Sequence, residues 1–246
     1  VSPLAAALLV PAGIVAGALG SAGGITSLVS YPALLAAGVP PLPANVANIV
    51  AATAMGPGAA LSSRRELVGT RRLVTRLLLL GIVGSVAGAG LLLSTPPGVF
   101  ARVVPFLVAA GALVLLLQPT LVTWRGGALP LGTLSALVVV VSVYSGYFGA
   151  GSGVMFLAIV LFYEARIPQA NAIKNVVVTV TCAAAAVVLV LTGPVPWAAV
   201  LPLAAGLLVG GALGPVVVRR LPGRVVRWTA AALGFVLAIY LWLRPA

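Results

Sequence analysis

Ten apolar runs follow one another along the chain, at 4 to 19, 25 to 37, 44 to 61, 73 to 93, 99 to 117, 129 to 148, 154 to 163, 170 to 191, 197 to 218 and 225 to 243. A helix that crosses a bilayer needs about 20 apolar residues, so most of these runs predict membrane helices joined by short connections. Strands of a lipid-embedded barrel would alternate apolar and polar residues, and these runs do not. Residues 62% hydrophobic and 7% charged exceed what a water-soluble core of this length needs, which makes the chain an integral membrane protein. The first run, 4 to 19, reads as part of the membrane body rather than a cleaved signal peptide.

Two runs, 25 to 37 and 154 to 163, are too short to cross comfortably. Each follows a glycine-rich interruption, "GALGSAGG" at 17 to 24 and "GYFGAGSG" at 146 to 153. The resemblance between them extends along the chain. Gly17, Gly20 and Gly24 match Gly146, Gly149 and Gly153 at an offset of 129, and Ala44, Asn45, Gly84, Gly88 and Pro96 match Ala170, Asn171, Gly210, Gly214 and Pro222 at 126. A three-residue deletion before Ala170 accounts for the change. The expected organisation is an N-terminal repeat at 1–125 and a C-terminal repeat at 126–246, forming one membrane domain.

Arginine placement orients the repeats, because cytoplasmic loops carry the positive excess. If each glycine break turns the chain back, Arg64, Arg65, Arg71, Arg72, Arg76, Arg125, Arg219, Arg220, Arg224 and Arg227 share one side, leaving Arg102, Arg166 and Arg244 on the other. A single kinked crossing at each break instead splits the arginines almost evenly. The first topology gives each half an odd number of passages, so the expected fold is all-α and polytopic, with two inverted repeats each starting with a glycine-broken helical hairpin. Whether each hairpin makes two full crossings or a re-entrant pair stays open.

The net charge of +12 raises the question of nucleic acid, but these arginines sit in short loops, where topology and lipid headgroups explain them. Nucleic acid is therefore not an expected partner. Histidine is absent and Cys182 is the sole cysteine, which excludes a disulfide framework and a cysteine metal centre; no cofactor is expected. Motifs for a hydrolase triad, a zinc protease or a phosphate-binding loop are missing, so no enzyme activity is expected. Glu66 and Glu164 are the only acids, and both read as surface partners of neighbouring arginines.

Non-helical backbone in hydrocarbon survives only against protein or a wet cavity, so the two breaks should line one. Helices that begin after the breaks aim free N–H groups and the positive ends of their dipoles back at that space, which suits an anion. Close helix packing is the alternative reading of the same glycines. Candidate binding groups are Ser21, Gly23 and Gly24 at the first break and Gly151, Ser152 and Gly153 at the second. "PANVAN" and "QANAIKN" add Asn45, Asn48, Asn171, Lys174 and Asn175 near the start of the following helices. Lys174, the only lysine, matches Asn48 in register and supplies a fixed positive charge, unless it snorkels to the interface.

These motifs, with the basic hairpin "SSRRELVGTRRLVTRLLLLGIVGSVAGAG" and "GPVPWAAVLPLAAGLLVGGALG", resemble the sulfite exporter TauE/SafE family across essentially the whole chain. The first break reads "GSAGG" where the family often has a denser glycine run. The resemblance implies a multi-pass transporter of the bacterial inner membrane for sulfite, sulfonate or sulfoacetate-type anions, commonly in the export direction. An anion channel using the same helix termini is the alternative, and a membrane enzyme or scaffold a third reading.

Overall fold

The computed structural model describes residues 2–57, 66–67, 69–123, 130–164, 166–218 and 223–243. Helices account for these residues: α1 (Pro3–Gly23), α2 (Thr26–Ala36), α3 (Pro41–Ala52), α4 (Arg71–Ser94), α5 (Pro97–Thr123), α6 (Leu131–Tyr147), α7 (Ser152–Leu161), α8 (Ile167–Thr192), α9 (Trp197–Val218) and α10 (Gly223–Leu243). A 3₁₀ turn, Thr53–Met55, continues α3. No strand occurs among the described residues. The segment joining the proposed repeats and Arg64, Arg65, Arg125, Arg219, Arg220 and Arg244 lie outside the described residues.

Four helices contain spans long and apolar enough to cross a membrane: Pro3–Ser21, Arg71–Ser94, Pro97–Thr120 and Pro168–Thr192. Their outward faces carry large apolar side chains such as Leu8, Leu79, Val83, Phe106 and Leu191, each more than half exposed, as lipid contact requires. By contrast α2 has 11 residues and α7 has 10. At about 1.5 Å per residue they reach roughly 15 to 16 Å, half of a hydrocarbon core about 30 Å thick. Neither crosses alone, so the short runs behave as half-helices rather than full crossings.

Local chemistry sets where the helices start and stop. Ser2 caps α1, accepting from the Ala5 amide at 3.2 Å, and Pro residues open α1, α3 and α8 where the first N–H has no intrahelical partner anyway. Gly24 ends α1 at φ 72°, and Gly149 and Gly151 take φ 81° and 75° before α7, a backbone region costly for any side chain. The tyrosine hydroxyl of Tyr144 donates to the Ala150 carbonyl at 2.6 Å and holds the second break closed on the protein side.

Packing joins elements distant in sequence. α1 lies along α9, α4 along α6, α5 along α10, and α3 crosses α8. Helices approach this closely only where side chains are small. A Cβ on Gly17 would stand 2.7 Å from the Leu207 carbonyl oxygen, and one on Gly84 would stand 2.7 Å from both the Ser142 Cβ and the Val139 oxygen. The glycines at these two seams therefore serve helix packing, while those further along each break do something else. Gly90, on the same helix as Gly84, faces open space.

That difference yields a test. Gly84→Ala is expected to destabilise the protein by about 1–3 kcal/mol through overpacking against α6. Gly90→Ala should leave the melting temperature unchanged or raise it, since it adds helix propensity without a clash. Thermal unfolding of both variants in detergent checks the pair, and equal behaviour would refute the seam.

Candidate functional site

The two helix breaks meet. A Cβ on Gly24 would stand 2.7 Å from the Gly153 carbonyl carbon, and one on Gly153 only 2.6 Å from the Gly24 Cα, so backbone touches backbone at this point. Glycine at both positions is what permits it. The C-terminal ends of α1 and α6 fold back on their own carbonyls: the Gly24 amide donates to Gly20 at 2.7 Å, and those of Phe148 and Gly149 donate to Tyr144 at 2.9 and 3.0 Å. At the starts of α2 and α7 the Leu28, Ser152 and Val154 amides are taken by the Ile25, Gly149 and Gly151 carbonyls, and Thr26, Ser27, Ser152 and Gly153 border a cavity.

That cavity has a volume of about 40 Å³. Since roughly 10–15 Å³ of such volume admits one water, it suits a compact ion or a few waters. Its polar wall comes from both halves: Gly24, Thr26, Ser27 and Asn48 from the first, Ser145, Ser152, Gly153, Lys174, Asn175 and Thr179 from the second. Ile49, Met55, Phe148 and Val178 supply apolar wall, and Cys182 lies there as an unpaired thiol. Neither Glu66 nor Glu164 lines it.

Lys174 is the chemical centre of this wall. Its side chain is 2% exposed, and Nζ has no hydrogen-bond partner. Snorkelling is thus not what the side chain does; it stays inside the protein. An ammonium buried without a counter-ion or acceptors costs several kcal/mol, a cost that a negatively charged occupant would offset. The dipoles of α2 and α7 add the same sign of potential at their N-terminal ends. The one charged side chain of the wall and the two helix ends thus act in the same sense.

Asn48 lies at the register position equivalent to Lys174, and its environment is the opposite. Its Nδ2 donates to Ser27 Oγ at 3.0 Å, and its Oδ1 accepts from the hydroxyl of Ser30, a residue fully buried in α2. The carboxamide is thereby fixed by protein groups, with one N–H bond direction left over.

Of the residues expected from sequence, Gly24, Asn48, Ser152, Gly153, Lys174 and Asn175 line the cavity. Gly23 is the last residue of α1, next to Gly24. Ser21, Asn45, Gly151 and Asn171 stand outside the cavity wall. Ser21 is turned back, its hydroxyl donating to the Ala18 carbonyl at 3.2 Å. Asn45 is fully buried and donates from Nδ2 to the Tyr147 carbonyl at 2.7 Å, tying α3 to the end of α6. Gly151 faces α5, where an added Cβ would lie 3.1 Å from the Gly111 oxygen. Asn171 keeps a buried Oδ1 without a partner.

Ser27, Ser30, Ser145 and Thr179 were not singled out by the sequence reading. Their signal is a hydroxyl inside an apolar run, which is also the commonest way for a membrane helix to satisfy its own carbonyls. The acids also divide. Glu164 pairs with Arg166 at 3.1 Å as expected, while Glu66 keeps a buried Oε2 and its neighbours Arg64 and Arg65 lie outside the described residues.

Comparison with known proteins agrees with this architecture. The family model described as Sulfite exporter TauE/SafE matches residues 5–241. A "Probable membrane transporter protein" of Haemophilus influenzae is 30% identical over 213 residues, covering 85% of this chain and 83% of that protein. A "Probable membrane transporter protein ORF9" of a Sinorhizobium species is 32% identical over 154 residues, covering 61% of this chain and 59% of its own length. No solved structure matches the chain significantly. With a cavity lined by the starts of two short broken helices and a family match over nearly its whole length, the chain belongs to the TauE/SafE sulfite exporter family of multi-pass membrane transporters.

Proposed function

We propose that this protein is a secondary transporter of small sulfur-containing anions, of the sulfite, sulfonate or sulfoacetate type, and that the cavity at the helix breaks is its substrate site. The single observation that carries the reading is the buried Lys174 ammonium without a protein partner, facing a cavity where no described residue is acidic. Gly24, Ser152, Gly153, Asn48 and Asn175 complete the site, with Ser21, Gly23, Asn45, Gly151 and Asn171 supporting the two breaks. The family name supports the sulfur anion.

The bacterial inner membrane is the expected location, and export the expected direction. Moving one negative charge outward across a potential of about 100 mV releases roughly 2.3 kcal/mol, so export proceeds without a coupling ion. Alternating access follows from an inverted repeat, with residues 1–125 and 126–246 as the two halves. The packing pattern supports this division. Exchanging the halves turns the α1–α9 seam into the α4–α6 seam and leaves the α5–α10, α3–α8 and Gly24–Gly153 contacts as themselves. Contacts that map onto themselves lie on the relating axis, which in such repeats runs through the bilayer midplane. Rocking one half against the other about that point would open the cavity to each side in turn.

The first test is binding of sulfite, sulfoacetate and thiosulfate to the purified protein. Lys174→Gln is expected to weaken binding about 10- to 100-fold, as removal of a charge-assisted hydrogen bond worth about 1.5–3 kcal/mol implies. Arg102→Gln, an exposed arginine on α5, should leave it unchanged. Equal losses would remove Lys174 from the site.

The second test is flux in liposomes. Slow, saturable counterflow is expected of the wild type, and Gly153→Val should abolish it by driving a side chain into Gly24. Unitary conductance in place of counterflow would make the protein a channel.

A further inference from the structure

We propose that the start of α4 binds one anionic phospholipid, with the headgroup on Arg71, Arg72 and Arg76 and an acyl chain laid along the helix beyond them. Arg71, Arg72, Thr75, Arg76, Leu79 and Leu80 line an open groove of about 680 Å³. It shares no described residue with the cavity at the helix breaks, so the inference stands apart from the reading of that cavity. No described residue of the groove is acidic, and no ion pair engages Arg71 or Arg72 among the described residues. Three positive charges therefore face one opening.

Spacing and depth decide which anion suits it. Residues three and four apart share a helix face, so Arg72, Arg76, Leu79, Val83 and Val86 form one stripe, and Gly90 continues it into open space. Leu79, Val83 and Val86 are exposed along that stripe, while Gly84 and Gly88 on the other side of α4 meet α6. With 24 residues α4 is about 36 Å long, some 6 Å more than a hydrocarbon core. Its first turn thus stands among headgroups, and Leu79 and Val83 lie at the level of acyl chains. A soluble anion would use only the first part of this surface; a phospholipid uses both.

One donor is already in place. Arg76 Nη2 donates to Ser135 Oγ of α6 at 2.8 Å, which holds its guanidinium over the α4–α6 seam. Its planar fork keeps further N–H groups for a phosphate at little extra ordering cost. A headgroup shared by Arg72 and Arg76 would brace that seam.

Equilibrium binding of tail-labelled phosphatidylglycerol and phosphatidylcholine to the purified protein in detergent tests the site. At about fivefold for each basic residue beside an anionic headgroup, phosphatidylglycerol is expected to bind at least about 25-fold more tightly. The double variant Arg71→Gln, Arg72→Gln should bring the two lipids within about fivefold of each other, since Arg76 remains. Arg102→Gln, on α5, should leave the ratio as in the wild type, and Leu79→Asn should weaken both lipids alike. A ratio within one variant is not moved by a general loss of stability. Equal binding of the two lipids to the wild type, a ratio that survives the double variant, or an equal fall in Arg102→Gln overturns the site. Competition by glycerol phosphate as strong as by the lipid itself, or indifference to Leu79→Asn, gives the groove to a soluble anion and overturns the lipid.

Discussion

Backbone polar groups in a hydrocarbon core must find partners, and the structure is arranged around the two places where the helices decline to supply them. At each break a chain that has run as helix stops, takes glycine conformations with φ near 70 to 80°, and starts again as a half-length helix. Unpaired N–H groups facing lipid would each cost several kcal/mol. Bringing Gly24 and Gly153 into contact solves this once for both breaks, since each is then shielded by the other and by α3 and α8. The first residues of both half-helices border a polar cavity instead of lipid.

This arrangement depends on the seams that flank it. The α1–α9 and α4–α6 helices close to backbone distance through Gly17 and Gly84, and only then do the breaks reach the centre of the molecule. Small residues thus do two kinds of work along a single segment. Gly17 and Gly146 bring helices together; seven residues on, Gly24 and Gly153 admit a neighbouring backbone next to an open space. Packing and ligand access had been rival readings of these glycines, and the segment divides them by position.

The glycine breaks, the short helices after them and the polar positions Asn48 and Lys174 were legible in sequence, because each is a local departure from a uniform apolar background. What was not legible is which face each polar group turns to the cavity. Asn45 and Asn48 are three residues apart and share a helix face, yet one bonds the Tyr147 carbonyl and the other borders the cavity. That choice is made by α6, about a hundred residues away in the chain. Gly151 and Gly153 are separated by the same kind of decision: α5 packs on the first and α1 ends against the second. Ser27 and Ser30 were invisible for another reason, since a hydroxyl in an apolar helix needs no partner beyond its own backbone. Only the approach of Asn48 turns them into its supports.

The α1–α9 and α4–α6 seams pack alike, and the cavity they flank has unequal chemistry. The backbone contributes the same features from each side: a glycine, a helix start and a dipole. Side chains then break the equivalence, with the Asn48 carboxamide held at both ends by α2 and Lys174 Nζ without a partner among the described residues. Two lysines would raise the cost of the empty site steeply, because like charges in a small, poorly hydrated cavity repel with little screening. One lysine keeps that cost within what a marginally stable fold tolerates, and the proposed anion would offset it. On the proposed function the asymmetry is thus a compromise between an empty state that must persist and an occupied state that must form and let go.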